Sequence, residues 1–196
     1  MRHFVYFSGR AQTSGNFSDL MKAGRMDIAI HVIIASLFVS HGVRDNVKVH
    51  LVFYGMPDPP KHIEIQINPE LDISKKDVAN LIRKILYKYK EGKKTEVLPG
   101  CFVEKKSLLK VIEELSKEGN EIFLLDKGGG DIRNIKVHDN CAFIMGDQNG
   151  IPKKEFKRIK NISEVISIGP RIYFAIHVVA IVNNELDRNE IRSNPI

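Results

Sequence analysis

Cysteine is scarce in this sequence, and its two cysteines do not form a metal-binding pair. Cys101 and Cys141 are far apart, no CxxC spacing occurs, and the seven histidines are scattered along the chain. This pattern argues against a disulfide framework and against a structural zinc site. We therefore expect two buried thiols, a reducing compartment and no bound metal.

Long hydrophobic runs are missing as well. The most apolar segments, 26–40 and 172–182, are each interrupted by ionisable residues, so neither has the composition of a membrane-spanning helix. Residues 1–7 alternate as a strand does and lack the charged flank and long apolar core of a secretory signal. We expect a soluble, cytoplasmic protein without membrane association.

No nucleotide-binding fingerprint is present either. The glycines at 128–130 match neither GxGxxG nor a P-loop with its lysine and hydroxyl residue, so they favour a flexible surface loop. Internal repeats and low-complexity tracts are also lacking. With 196 residues and 43% hydrophobic content, the chain is predicted to form a single domain over 1–196.

Positive charge is concentrated in one segment. The formal net charge is +6, and residues 75–94 alone carry eight basic and two acidic residues, a local net of 8 − 2 = +6. The apolar spacing from Val78 to Tyr89 predicts a helix whose outward face carries Arg83, Lys84 and Lys88. Such a face is suited to binding a polyanion, and it is equally typical of a solvated helix surface.

Hydrophobic periodicity predicts alternating strands and helices, and so an α/β fold with a mostly parallel sheet flanked by helices. The first half of the chain also holds a hairpin-like connection near residues 54–62. The predicted strands cover 3–8, 46–55, 62–67, 122–125, 142–145 and 164–168. The predicted helices cover about 24–40, 74–89, 107–117, 152–160 and 170–185, the last with Pro170 in its first turn.

Three of the predicted strands end in glycine-containing loops. The runs 122–125, 142–145 and 165–168 are followed by 126–130, Gly146 and Gly169. The carboxyl ends of parallel strands share one edge of a sheet, where open α/β proteins bind their ligands. For 146–150, close approach to a ligand and an ordinary turn are equally good explanations.

The other polar clusters lie at the two ends of the first predicted helix. Arg25 and Asp27 form either a functional pair or a simple helix cap at its start. Arg44 and His41, after its end, either hold a phosphate or complement the helix dipole.

Together, these residues resemble the SPOUT methyltransferases, and more closely the archaeal family that methylates N1 of the pseudouridine at tRNA position 54. The similarity extends over nearly the whole chain. It rests on Gly24, Arg25 and Asp27, on Ser40, His41, Arg44 and Asp45, on 68–70, on Pro99 and Gly100, on 143–147, on Gly169 and Pro170, and on 184–187.

The resemblance implies a SPOUT-type α/β knot, in which the chain after 142–145 threads through a loop to form a deep C-terminal trefoil knot. It also implies S-adenosylmethionine as the cofactor and a homodimer packed through the first and last helices. The cofactor pocket would be lined by Leu125, Gly146, Ile168, Gly169, Pro170 and Ile172.

The implied reaction needs an oriented acceptor and a place for one proton. We predict that Asp27 accepts the N1 proton or orients the base, and that Arg25 and Arg44 hold a phosphate or a carbonyl oxygen. Arg83, Lys84 and Lys88 would hold the tRNA backbone, without a metal.

Three positions depart from the family pattern. Val178 stands where related enzymes carry a cysteine, Asn183 stands where they carry the histidine of a His-Asn pair, and His31 stands where they carry an arginine. Two alternatives therefore remain beside tRNA methylation. One is N1-methylation of pseudouridine in ribosomal RNA, and the other is a non-catalytic, RNA-binding knotted dimer.

Overall fold

The computed structural model describes residues 1–67 and 73–193, with the backbone alone for 190–193. Its strands are β1 Arg2–Ser8, β2 Phe38–Val39, β3 Gly42–Val43, β4 Val47–Phe53, β5 Lys61–Ile65, β6 Thr95–Leu98, β7 Cys101–Glu104, β8 Glu121–Asp131, β9 Cys141–Met145 and β10 Glu164–Ser167. Its helices are α1 Met26–Leu37, α2 Val78–Tyr87, α3 Leu108–Lys117, α4 Lys153–Lys160 and α5 Ala175–Ser193. The segment 68–70, used for the family resemblance, lies outside the described residues.

Eight of these strands form one sheet in the order β10-β8-β9-β1-β4-β5-β7-β6. Neighbours from β10 to β4 pair in parallel, while β5, β7 and β6 add an antiparallel extension. The predicted mostly parallel α/β sheet is confirmed, and so is the hairpin-like turn between β4 and β5. The sequence pattern did not predict β6, which is short and only partly buried.

Alternation along β1 explains why both faces of the sheet are covered. Phe4 and Tyr6 point into a core built with α1, α2 and α5, whereas Val5 and Phe7 point into a second core with α3 and α4. The five parallel strands place their carboxyl ends at one edge, between these two helical layers.

The helix ends differ from the predicted ones. Helix α1 stops at Leu37 rather than at residue 40, because Phe38 takes an extended conformation and pairs with Val43 across a two-stranded hairpin. Helix α5 begins at Ala175 rather than at Pro170, which leaves 168–174 without regular structure beside the carboxyl edge. Pro170 is therefore not in the first turn of a helix.

The glycines at 128–130 fall within the bounds of strand β8, at a bulge in its pairing with β10. The strand β8 continues to Asp131, and Gly130 pairs with Ile166 of β10. A Cβ atom on Gly129 would stand 2.5 Å from the Ile166 backbone, so the close approach of the two strands requires glycine there.

Among the described residues, no helix combines the length and apolarity needed to cross a bilayer.

Candidate active site

A cavity of about 360 Å³ opens at the carboxyl edge of the sheet. Its walls come from the segments that follow β9 and β10 and from a bulge in β8. The bulge arises because the pairing with β10 moves from Leu124 directly to Gly130, which pushes 125–129 out of the ladder. The three segments were the ones predicted to surround a ligand.

Five of the six residues predicted to bind the cofactor line this cavity, namely Leu125, Gly146, Ile168, Gly169 and Ile172. Pro170 is exposed and is not among the lining residues. Gly169 has a φ of 149°, a conformation open almost only to glycine, and Tyr173 packs directly against it.

The cavity combines apolar walls with charged residues. Met145, Ile166 and Val178 add to its apolar lining, and the charged lining residues are Asp126, Lys127, Asp147 and Arg171. An apolar pocket with a few convergent polar groups is the usual form of a small-molecule site.

Asp147 ties the cavity to the loop that follows β1. Its Oδ2 atom accepts hydrogen bonds from the Gly9 backbone amide at 2.9 Å and from Ser8 Oγ at 3.3 Å. Its Oδ1 atom accepts one from the Asn149 amide at 2.9 Å. The carboxylate therefore holds two loops together at the sheet edge.

The predicted pair Arg25 and Asp27 forms a two-point ion pair at the start of α1. Arg25 Nε donates to Asp27 Oδ1 at 3.0 Å, and Nη2 donates to Oδ2 at 2.9 Å. The hydrogen bond from Arg25 lowers the pKa of Asp27, so this carboxylate is ionised near neutral pH. Arg25 itself has a φ of 65°, which is uncommon outside glycine and is often found at functional sites.

Backbone contacts place this ion pair next to the cavity. A Cβ on Gly24 would lie 1.8 Å from the Arg10 carbonyl oxygen, so the two segments touch. Burial, then the charge of Asp147 and more weakly that of Asp27, raise the pKa of the Tyr6 hydroxyl. The Gly9 amide in turn donates to Asp147, so the Gly9–Arg10 segment lies between the cavity and the residues that carry the Arg25–Asp27 pair.

Arg44 does not contact the Arg25–Asp27 pair and forms an ion pair of its own with Asp187. Its guanidinium contacts both carboxylate oxygens of Asp187, at 2.8 and 2.6 Å, and Arg2 donates to the same carboxylate at 2.7 Å. Burial acts in the opposite direction, but these two arginines lower the pKa of Asp187. The contact joins the residue that follows β3 to α5.

The basic face of α2 contains two different kinds of residue. Arg83 donates to the Phe17 carbonyl at 2.9 Å and to Asn80 Oδ1 at 2.9 Å. Lys84 and Lys88 are exposed. The helix also touches the loop that leads from β1 to α1, because a Cβ on Gly15 would lie 2.5 Å from the Arg83 carbonyl.

A second cavity, of about 170 Å³, lies on the α3 side of the sheet. It is bordered by a chain of three hydrogen-bonded histidine rings: His3 Nδ1 to His50 Nε2 at 2.9 Å, His50 Nδ1 to His62 Nε2 at 3.0 Å, and His62 Nδ1 to Glu104 at 3.0 Å. All three contacts are satisfied if each ring donates from Nδ1 in the direction of Glu104.

The cysteines do not take part in either cavity. Burial raises the pKa of Cys101 to about 12 and that of Cys141 to about 11, so both remain thiols. Val178 contributes an apolar side chain at the position where the resemblance places a cysteine. In the described part of the chain, no three histidine, cysteine or acidic residues are arranged to hold a metal.

Sequence reasoning missed several of these features. Arg171 was passed over because the surrounding residues were assigned to a helix, although an arginine beside Gly169 and Pro170 in a strand-end loop was a visible signal. The sequence indicates the positions of the three histidines but not the hydrogen bonds between their rings. His50 and His62 occupy the polar positions of alternating strands, but their pairing depends on strand register.

Comparison with known proteins identifies the family. A family model described as "Putative SAM-dependent RNA methyltransferase" matches residues 1–191. The tRNA (pseudouridine(54)-N(1))-methyltransferase of Methanococcoides burtonii is 36% identical over 200 residues, covering 96% of this chain and 97% of the relative. The protein of that name from Methanosarcina mazei is 35% identical over 207 residues, covering 100% and 95%.

A solved structure supports the SPOUT-type fold. The crystal structure of Archaeoglobus fulgidus Nep1 bound to S-adenosylhomocysteine superposes with a TM-score of 0.64 at 13% identity, covering 95% of this chain and 97% of the other. Family and fold thus agree with the predicted enzyme class and with the predicted cofactor. The chain belongs to the family of S-adenosylmethionine-dependent RNA methyltransferases.

Proposed function

We propose that this protein methylates N1 of the pseudouridine at position 54 of tRNA. The observation that carries the proposal is that the Gly9–Arg10 segment contacts both Asp147 of the strand-end cavity and Gly24, which directly precedes the Arg25–Asp27 pair. A donor site and an acceptor site are thereby adjacent, as methyl transfer requires. The substrate is taken from the names of two relatives that match this chain over nearly its whole length.

The cavity residues fit S-adenosylmethionine. A volume of about 360 Å³ falls within the usual range for small-molecule pockets, and the apolar walls suit an adenine ring. We assign the cofactor to Leu125, Gly146, Ile168, Gly169 and Ile172, with Arg171 and Lys127 available to its carboxylate. When bound, the cofactor supplies a methyl group carried on a sulfonium.

Asp27 and Arg25 act on the acceptor base. N1 of pseudouridine is an imide-like N–H that is neutral near pH 7. An ionised Asp27 accepts a hydrogen bond from this N–H and orients N1 towards the cavity. The N1 proton moves to the Asp27 carboxylate and, because the pKa of Asp27 is low, passes on to solvent, which leaves the N1 lone pair free to accept the methyl group. Arg25 keeps the carboxylate fixed and ionised.

Lys84 and Lys88 bind the tRNA backbone outside the site. Both are exposed on a helix that adjoins the loop between β1 and α1, and the start of the same loop contacts Asp147 of the cavity through Gly9. The acceptor nucleotide leaves its stack to reach the site, as in other enzymes that modify bases.

The remaining architecture is proposed from the family. A single domain carries the C-terminal trefoil knot, and two copies associate through α1, α5 and the apolar residues before α5. Ile172 and Phe174 are 85% and 72% exposed, which is unusual for side chains of this size and is consistent with coverage by a second copy. Action on tRNA is consistent with a cytoplasmic location.

The test is methylation of a tRNA transcript that carries pseudouridine at position 54, by the wild-type protein and by Asp27→Asn. We expect the substitution to lower kcat by about 100-fold or more. Calorimetry should show unchanged binding of S-adenosylmethionine, because Asp27 does not line the cavity. A full methylation rate in Asp27→Asn would refute the role of this carboxylate.

A further inference from the structure

The arginines that the sequence marked for anion binding are already engaged inside the protein. Arg25 is paired with Asp27 and Arg44 with Asp187, each through two contacts. Arg83 donates to a backbone carbonyl and to an amide oxygen. A guanidinium held in this way has few donors left for a phosphate.

Arg10 is different. It is exposed, and no hydrogen bond or ion pair joins its side chain to any residue that the structure describes. The carboxylates of the two adjoining segments have other partners, since Asp147 accepts from Gly9 and Asp27 pairs with Arg25. The positive charge of Arg10 is therefore available to a ligand.

The backbone of Arg10 is fixed although its side chain is free. The Arg10 and Ala11 amides lie 3.4 and 3.1 Å from Ser8 Oγ, and Gly55 donates to the Ala11 carbonyl at 3.1 Å. Cβ atoms on Gly24 and Gly55 would come within 1.8 and 2.3 Å of the Arg10 carbonyl oxygen. The peptide is thus held between two glycines, which presents the side chain from a rigid base.

Arg10 also lies between the two halves of the proposed site. Its neighbour Gly9 contacts Asp147 of the cavity, and its carbonyl oxygen contacts Gly24, next to Arg25. A nucleotide whose base reaches Asp27 and the cavity has a phosphate on each side. The guanidinium matches a phosphate through two parallel hydrogen bonds.

We propose that Arg10 binds a backbone phosphate adjacent to the nucleotide being methylated, and so positions the acceptor strand. The inference rests on the proposed function. It assigns to Arg10 the anion contact that sequence reasoning gave to Arg25 and Arg44, and it separates this contact from the outer lysines of α2.

The test compares Arg10→Gln with Arg158→Gln, which removes an exposed arginine of α4 that has no side-chain partner among the described residues. Each is measured with full tRNA and with a short T-arm hairpin carrying the pseudouridine. Fluorescence anisotropy gives Kd against salt concentration, and methylation gives kcat and KM.

We expect Arg10→Gln to weaken binding of both RNAs roughly tenfold and to lower the salt slope by about 0.7, the value for one single-strand phosphate contact. Arg158→Gln should match the wild type. The defect should persist on the hairpin, whereas a Lys84→Gln, Lys88→Gln variant should lose affinity mainly on full tRNA. Calorimetry of Arg10→Gln should show that S-adenosylmethionine binds as tightly as it does to the wild type.

Unchanged Kd and salt slope in Arg10→Gln would overturn the inference, as would a defect confined to cofactor binding. If the wild type binds the full tRNA but does not methylate it, the proposed function fails, while the Kd comparison still decides the role of Arg10. A wild type that binds neither RNA would overturn both.

Discussion

The buried histidine chain predicts a loss of stability in mild acid. Burial, reinforced by the charge of Lys48 and opposed by that of Glu64, lowers the pKa of His3 from 6.5 to about 4. Burial and the neighbouring histidines hold the pKa of His50 well below 6.5. Both rings are neutral in the folded protein at pH 7, and a histidine in the unfolded chain gains a proton near pH 6.5.

Because the folded-state pKa is the lower one, the contribution of His3 is present above pH 6.5 and is lost as the pH falls towards 4. The full difference of 6.5 − 4 units corresponds to about 3 kcal/mol, and the part lost between pH 7 and pH 5 is about 2 kcal/mol. Because the pKa of His50 is also lowered, protonation of this ring in the unfolded chain further decreases the free energy of unfolding as the pH falls.

Carboxylates contribute little in this pH window. Burial opposes ionisation of Glu104, but hydrogen bonds from His62 and Lys106 lower its pKa to about 2. Arg133 similarly lowers the pKa of Asp131 to about 2. Such groups change stability mainly below about pH 4.5, where carboxylates of the unfolded chain protonate.

The assay is urea or guanidinium unfolding at pH 7 and pH 5, for the wild type, His3→Gln and the exposed control His41→Gln. We expect the wild type and the control to lose about 2 kcal/mol or more between the two pH values. His3→Gln should lose about 2 kcal/mol less over that interval. Equal pH dependence in wild type and His3→Gln would refute the assignment.

Three further predictions follow from the site and its supports. Gly169→Ala should strain the backbone by about 1–3 kcal/mol and weaken S-adenosylmethionine binding in calorimetry, whereas Gly130→Ala, which has no positive φ, should bind as the wild type does. Asp187→Asn should lower the free energy of unfolding by about 1–3 kcal/mol, because Arg2 and Arg44 both lose their ion pairs with this carboxylate, while exposed Glu113→Gln should have little effect. The double variant Lys84→Gln, Lys88→Gln should lower the salt slope of tRNA binding by about 2, and an unchanged slope would exclude these lysines from the interface.

The sheet was predictable because its signals are local. Alternation in β1, β4 and β5, and apolar runs in β8 and β9, mark strands whatever their partners are. The start of α5 was not predictable in this way. Pro170 favours a helix start, yet Gly169 and the packing of Tyr173 hold 168–174 in an irregular conformation beside the cavity.

The sequence indicated which residues lie at the candidate site better than it indicated what each of them does. The strand-end glycines directed attention to the cavity, since glycine after a buried strand permits close approach. Whether an arginine is free depends on which carboxylate lies beside it, as Asp187 lies beside Arg44. Such partners are distant in sequence, so charge pattern alone gave Arg44 a role in RNA binding and overlooked Arg10.

The most direct test of the central claim is mass spectrometry of a tRNA transcript with pseudouridine at position 54, after incubation with purified protein and S-adenosylmethionine. We predict the mass of one added methyl group on that nucleotide, at N1, and none on a matched transcript with uridine at position 54. Methylation at another position, or none in a protein that binds the cofactor and the tRNA, would contradict the proposed function.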